Sequence, residues 1–130
     1  MNKKQLLQKL LSDNLLSLAF LGDSIHTNFV REYVLGAYAG KMDDFNGKAA
    51  TFCKASTQAK VLEEILPSLN EEENEIVRRA RNAKPKHQAK NATSKDYSYA
   101  TAFEALIGFL YLSENKERLD EILKISVQKH

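Results

Sequence analysis

At 130 residues with a single cysteine, the chain has the length of one domain with one apolar core, and it cannot build an internal disulfide framework or a cysteine-rich zinc site. Hydrophobic residues make up 43% and charged residues 28%, a balance that excludes a disordered polymer. The formal net charge is only +2, so no global field identifies a partner and any electrostatic argument must be local.

The N-terminal MNKKQLLQKLL is basic but lacks the longer apolar run and small-residue cleavage site of a signal peptide. A first amphipathic helix is expected over Lys3 to Leu11, and Ser12, Asp13 and Asn14 supply capping residues for the next. The second helix is expected from Leu15 to Leu35, with Leu18, Gly22, Ile25 and Phe29 as its apolar stripe; Gly36 and Gly40 mark its end and a loop. Asn46-Gly47 reads as a break before a third helix from Lys48 to Leu66, which Pro67 stops. Asn70 and Glu73 stand in capping-box spacing before a polar fourth helix through Arg81.

NAKPKHQAKNATSKD, Asn82 to Asp96, lacks periodicity and reads as a loop. A fifth helix, Ser98 to Leu112, is nearly all apolar and therefore central, and a sixth spans Lys116 to Gln128. The expectation is an all-α, single-domain bundle over residues 1–130, with two buried helices and four amphipathic ones around them. The longest apolar runs, LLSLAFLG and ALIGFLYL, have about eight residues against the roughly 18 that a membrane span needs. With one cysteine, Cys53, expected to be buried and inert, the chain reads as a soluble cytoplasmic protein without a membrane partner.

Two carboxylates interrupt the apolar helices. Asp23 is the only formal charge between Asn14 and Val30, and Glu104 the only one between Tyr97 and Leu112. A carboxylate placed in a core must be paired, protonated or bound to a cation. Gly22, Ala102, Ala105 and Gly108 are small enough to let the two helix backbones approach, which would bring both acids to one point. Two acids at a cleft suit a hard cation such as Mg²⁺, which could activate a water. The bland alternative, an acid at a helix edge or paired with arginine, is evenly matched for either acid alone and weaker for both together.

A basic cluster follows. Arg78, Arg79, Arg81, Lys84, Lys86, Lys90 and Lys95 have no acid among them, and His87 and Asn82 add hydrogen-bonding groups. Such a segment suits a phosphate backbone rather than base edges. By charge alone a solvated loop balanced by Glu71, Glu72, Glu73 and Glu75 is slightly favoured; beside a metal site, nucleic acid is the better reading.

FLGDSI resembles the signature motif of the ribonuclease III endonuclease domain, and FEALIGFLYL resembles that domain's second acidic motif. With RRARNAK at 78–84 and YATAFEALIG at 99–108, the chain looks like the Mini-III branch, which consists of the nuclease domain without a double-stranded-RNA-binding domain. The resemblance implies a homodimer whose catalytic valley holds double-stranded RNA. It implies Mg²⁺-dependent hydrolysis that leaves a 5′-phosphate and a 3′-hydroxyl, and the precursor of large-subunit (23S) ribosomal RNA as substrate. By motif match, Asp23 and Glu104 are the metal-binding and catalytic acids, and Phe20 is the aromatic that packs across the dimer interface. Fuller members of the family carry further acids where this chain has Ala19 and Thr101, so fewer protein ligands are expected here. A ribosomal protein is a plausible further partner.

His26, one turn after Asp23, could orient a water or touch RNA, but a satisfied interface histidine is favoured about two to one. Tyr97 and Tyr99 are evenly divided between contacting RNA and packing the helix start. Two other classes remain open on sequence: a non-catalytic RNA-binding or ribosome-associated module of the same fold, and a helical protein–protein adaptor.

Overall fold

The computed structural model describes residues 1–83 and 94–128, and among these all regular structure is helical. The helices are α1 (Lys3–Asp13), α2 (Ser17–Ala37), α3 (Met42–Cys53), α4 (Ala55–Ile65), α5 (Glu71–Asn82), α6 (Ser94–Leu112) and α7 (Lys116–Ser126), with a 3₁₀ turn at Leu66–Ser68. The all-α expectation holds.

Helix starts follow local chemistry. The Asn2 side chain accepts from the Gln5 amide at 2.8 Å while Gln5 returns a bond to the Asn2 amide at 2.9 Å. The Asn70–Glu73 pair does the same for α5, at 2.8 and 3.1 Å. Each reciprocal pair satisfies two backbone donors that the first helical turn leaves without partners.

The expected third helix is two helices, and Asn46-Gly47 lies inside the first of them rather than before it. Asp44 accepts from the Lys41 amide at 2.9 Å, next to Gly40 at φ +146°, and so starts α3 six residues early. The break falls at Lys54, whose backbone is extended. There the Thr57 hydroxyl donates to the Thr51 carbonyl at 2.7 Å, using the acceptor that an unbroken helix would give to the amide of Ala55. Among the described residues five helices, not four, therefore surround the buried pair. At the other end of the chain, α6 begins at Ser94, so the last residues of the expected loop are helical.

α6 is the centre, packed against α2, α4 and α5 and more lightly against α7 and α1. Phe103, Leu106, Ile107 and Leu110 are its largest fully enclosed side chains. A second, smaller core joins Val30 and Val34 of α2 to Val127, with Phe45, Phe52 and Cys53 against it. α5 and α7 are tied by a buried ion pair: Glu73, only 1% exposed, receives the Arg118 guanidinium on both oxygens at 3.0 and 3.1 Å. No described helix is long and apolar enough to cross a membrane.

Candidate active site

The site begins where α2 and α6 touch backbone to backbone. A Cβ at Gly22 would overlap the Glu104 carbonyl, and one at Gly108 would overlap the Leu18 carbonyl. Any larger residue at either position would force the helices apart. This contact brings Asp23, the neighbour of Gly22, to Glu104, one turn before Gly108, close enough for the Asp23 carboxylate to act on the Glu104 carboxyl.

The two acids are not equally enclosed. Glu104 is half-buried, whereas Asp23 is exposed, contrary to the core position expected from the apolar run. The reason is angular: Leu18, Gly22, His26, Val30 and Val34 form the buried stripe of α2, and Asp23 sits one residue round from it at the rim. The Glu104 pKa is raised from 4.5 to about 8, first by burial and then by the hydrogen bond and negative charge of Asp23, against a smaller opposing hydrogen bond from Gln58. At neutral pH without a cation, Glu104 therefore keeps its proton and donates it to Asp23. A pair that shares a proton in this way presents oxygen donors to a divalent cation able to replace that proton.

Protein ligands for such an ion are few. Among the described residues no group of three His, Cys, Asp or Glu is placed to hold a metal. The positions one turn before each acid, buried Ala19 and half-buried Thr101, carry no carboxylate.

Behind the acids lies a polar thread through the core. His26 is 1% exposed, with Nε2 at 3.1 Å from the Ser126 hydroxyl and Nδ1 at 3.1 Å from the Gln58 amide nitrogen. Its ring meets Phe103 edge-on, with centroids 5.0 Å apart. It is thus a satisfied histidine of the monomer core, without contact to solvent. Burial lowers its pKa from 6.5 to about 4, although Asp23 pulls the other way, so the ring is neutral. Cys53, half-buried rather than buried, has its thiol pKa pushed up chiefly by burial, against a smaller opposing hydrogen bond from Thr27, which lowers its thiolate fraction.

Comparison with known proteins decides the family. Residues 16–115 match the family model described as "Ribonuclease III domain". The chain belongs to the ribonuclease III family. It is similar to the Mini-ribonuclease 3 of Brevibacillus brevis, 44% identical over 124 residues, 95% of this chain and 92% of that one. The Mini-ribonuclease 3 of Symbiobacterium thermophilum is 41% identical over 109 residues, 84% of each chain. A crystal structure of a Fusobacterium nucleatum protein superposes with a TM-score of 0.82 at 32% identity, covering 92% of this chain and 96% of that one. The resemblance to the Mini-III branch holds, and the chain is an endoribonuclease of the ribonuclease III family.

Within this ribonuclease III fold the basic residues are dispersed. Arg78 is exposed but paired with Glu75, its Nε at 3.2 Å from the carboxylate. Arg79 points the other way, donating at 2.8 Å to the Leu11 carbonyl in the last turn of α1, so part of its hydrogen-bonding capacity is structural. Arg81 lies over the Tyr99 ring at 4.4 Å, with Lys95 at 5.4 Å from the same ring. Tyr99 thus packs the start of α6 against α5, and Tyr97 is half-buried nearby. Asn82 is exposed at the end of α5. Lys84, Lys86, His87 and Lys90 lie outside the described residues. Phe20 is 86% exposed on α2.

The sequence reading missed Gln58. Its only signal was a polar amide on an amphipathic helix at a position that the period of Ala59, Val61, Leu62 and Ile65 places inside.

Proposed function

We propose that the chain is a single catalytic domain that works as a homodimeric, Mg²⁺-dependent endoribonuclease on double-stranded RNA, maturing the 23S ribosomal RNA precursor. The observation that carries this reading is the pairing of Asp23 and Glu104 at the glycine-mediated α2–α6 contact, in a chain similar to proteins named Mini-ribonuclease 3. Asp23 and Glu104 would hold the cation, with water and RNA phosphate oxygens as the remaining ligands. Bound there, Mg²⁺ would supply a Lewis acid that polarises the phosphate and lowers the pKa of a water.

The chain's own residues do the rest. Asp23, at the rim, offers a carboxylate that the substrate side can reach. Glu104, half-enclosed and protonated without a cation, would lose that proton to solvent on binding one and serve as the second ligand. Arg78, Arg81, Asn82, Lys84, Lys86 and Lys90 would contact the phosphate backbone, with Arg79 contributing what its bond to Leu11 leaves free. Phe20 would be covered by a second copy of the chain. A ribosomal protein that shapes the RNA would help a chain that binds its substrate through so few cations.

The test is incubation of the purified protein with a double-stranded RNA precursor, with Mg²⁺ and then with EDTA, beside Asp23→Asn. Cleavage that requires Mg²⁺ and vanishes in the variant is expected. RNA binding without cleavage under all conditions, including added ribosomal proteins, would replace the nuclease with an RNA-binding module.

A further inference from the structure

A cavity of about 540 Å³, lined by neither Asp23 nor Glu104, lies between the end of α2, the end of α3, the start of α4 and the residues after α7. Tyr33 lines it, ten residues after Asp23 and so about 15 Å along the α2 axis. Small-ligand sites usually enclose about 300–1,000 Å³, so the volume suits a molecule of nucleotide size.

α2 and α3 supply rings. Tyr33 meets Tyr38 edge-on with centroids 6.4 Å apart, and Phe52 edge-on at 5.7 Å. Tyr33 and Phe52 also pack against the small core of Val30, Val34 and Val127, so their rings are held in place before any ligand arrives. Tyr38 is 37% exposed and carries the Lys48 ammonium 4.9 Å over its ring.

α4 supplies charge. Lys54 stands at the break before it, and Ser56 and Lys60 follow one turn apart on one face. No carboxylate lines the cavity. Among the described residues neither Lys54 nor Lys60 has an ion-pair partner, unlike Lys95 with Glu63 or Lys124 with Asp120. An inorganic anion would leave the three rings unused, and an uncharged aromatic molecule would leave both lysines unused.

We propose that this cavity binds a nucleoside monophosphate group, with its phosphate on Lys54, Lys60 and the Ser56 hydroxyl and its base against Tyr33 and Tyr38. Lysine meets a phosphate as a compact point charge, and an aromatic face accepts any base, so the cavity selects the class rather than one base. The group arrives as a free nucleotide or as an unpaired nucleotide of an RNA strand. Only the second source rests on the reading of the chain as a nuclease acting on RNA.

The test is NMR titration of the full chain in EDTA, where the acid pair holds no cation and RNA is not cleaved. The probes are AMP, adenosine, inorganic phosphate, and an RNA duplex with one unpaired adenosine beside its fully paired counterpart. AMP should move the resonances of Tyr33, Tyr38, Phe52, Lys54 and Lys60, with adenosine and phosphate each binding about tenfold weaker or less tightly still. Lys60→Gln and Tyr38→Ala, both at exposed positions, should each weaken AMP about tenfold, the size of one charge-assisted hydrogen bond or one stacked base. A response to AMP identifies the free nucleotide as a ligand. A response only to the duplex with the unpaired adenosine identifies the RNA strand as the source. Phosphate binding as tightly as AMP, or AMP binding indifferent to Tyr38→Ala, would overturn the proposal. So would equal responses to the two duplexes without one to AMP, or no response at these residues to any probe. Cleavage in Mg²⁺ is read separately, so none of these outcomes decides whether the chain is a metal nuclease.

Discussion

At the scale of single residues, the site is governed by which acid keeps a proton. Glu104 titrates near 4.5 in the unfolded chain and at about 8 in the folded, metal-free protein, so folding takes up a proton. The stability linked to that proton is complete below pH 4.5 and is lost as pH rises through 8. His26 acts oppositely: its pKa falls from 6.5 to about 4 on folding, so it contributes stability above pH 6.5 that is lost on acidification. The two partly cancel between pH 4.5 and 6.5, and Glu104 acts alone from 6.5 to 8. In EDTA the melting temperature should therefore fall across that upper window, and Glu104→Gln should flatten the fall in a calorimetric pH series. The same variant should bind RNA normally and lose cleavage; cleavage at the wild-type rate would remove Glu104 from the mechanism.

Between elements, two contacts decide whether the acids meet. At the α2–α6 crossing, Gly22→Ala or Gly108→Ala puts a methyl group into a carbonyl oxygen of the facing helix. Overpacking of this kind typically costs about 1–3 kcal/mol, and here it also parts Asp23 from Glu104. Urea denaturation should show the stability loss, with Mn²⁺ affinity falling further than stability alone explains. On the far side, Glu73 serves both as the α5 capping residue and as the anchor of Arg118, which also bonds Glu121 and the Ser68 carbonyl. Truncating one partner of a buried ion pair costs about 3–5 kcal/mol when the other charge is left unpaired; Arg118 keeps Glu121 and the Ser68 carbonyl, which places the loss here at the lower end of that range. Glu73→Ala should accordingly lower the urea midpoint strongly, without a change in the Mg²⁺ requirement of the remaining folded protein.

For the whole molecule, the proposed homodimer rests on Phe20, an aromatic side chain 86% exposed on the same helix as Asp23. An isolated exposed residue tolerates a polar replacement within about 0.5 kcal/mol, whereas a ring buried against a second copy does not. Phe20→Glu should leave the circular dichroism spectrum unchanged and shift sedimentation from dimer to monomer. Sedimentation identical to wild type would separate Phe20 from any interface.

The helical class of the chain, the α5 capping box and the stop before the Pro67 turn were legible in the sequence, because each depends on residues within one or two turns of one another. So were the two interrupting acids and the small residues that let their helices meet, since a charge in an apolar run stands out without any structure. The break at Lys54 was not, because one threonine hydroxyl outbid the helix for a single carbonyl, and composition cannot weigh that competition. Nor was the exposure of Asp23, which turns on one helical step of rotation fixed by the glycine contact. Arg79 reads as one cation of a cluster until Leu11, 68 positions away, claims its guanidinium. Gln58, His26 and Ser126 lie 32 and 100 positions apart in sequence, and only the packing of α2, α4 and α7 around α6 gives each of them a partner.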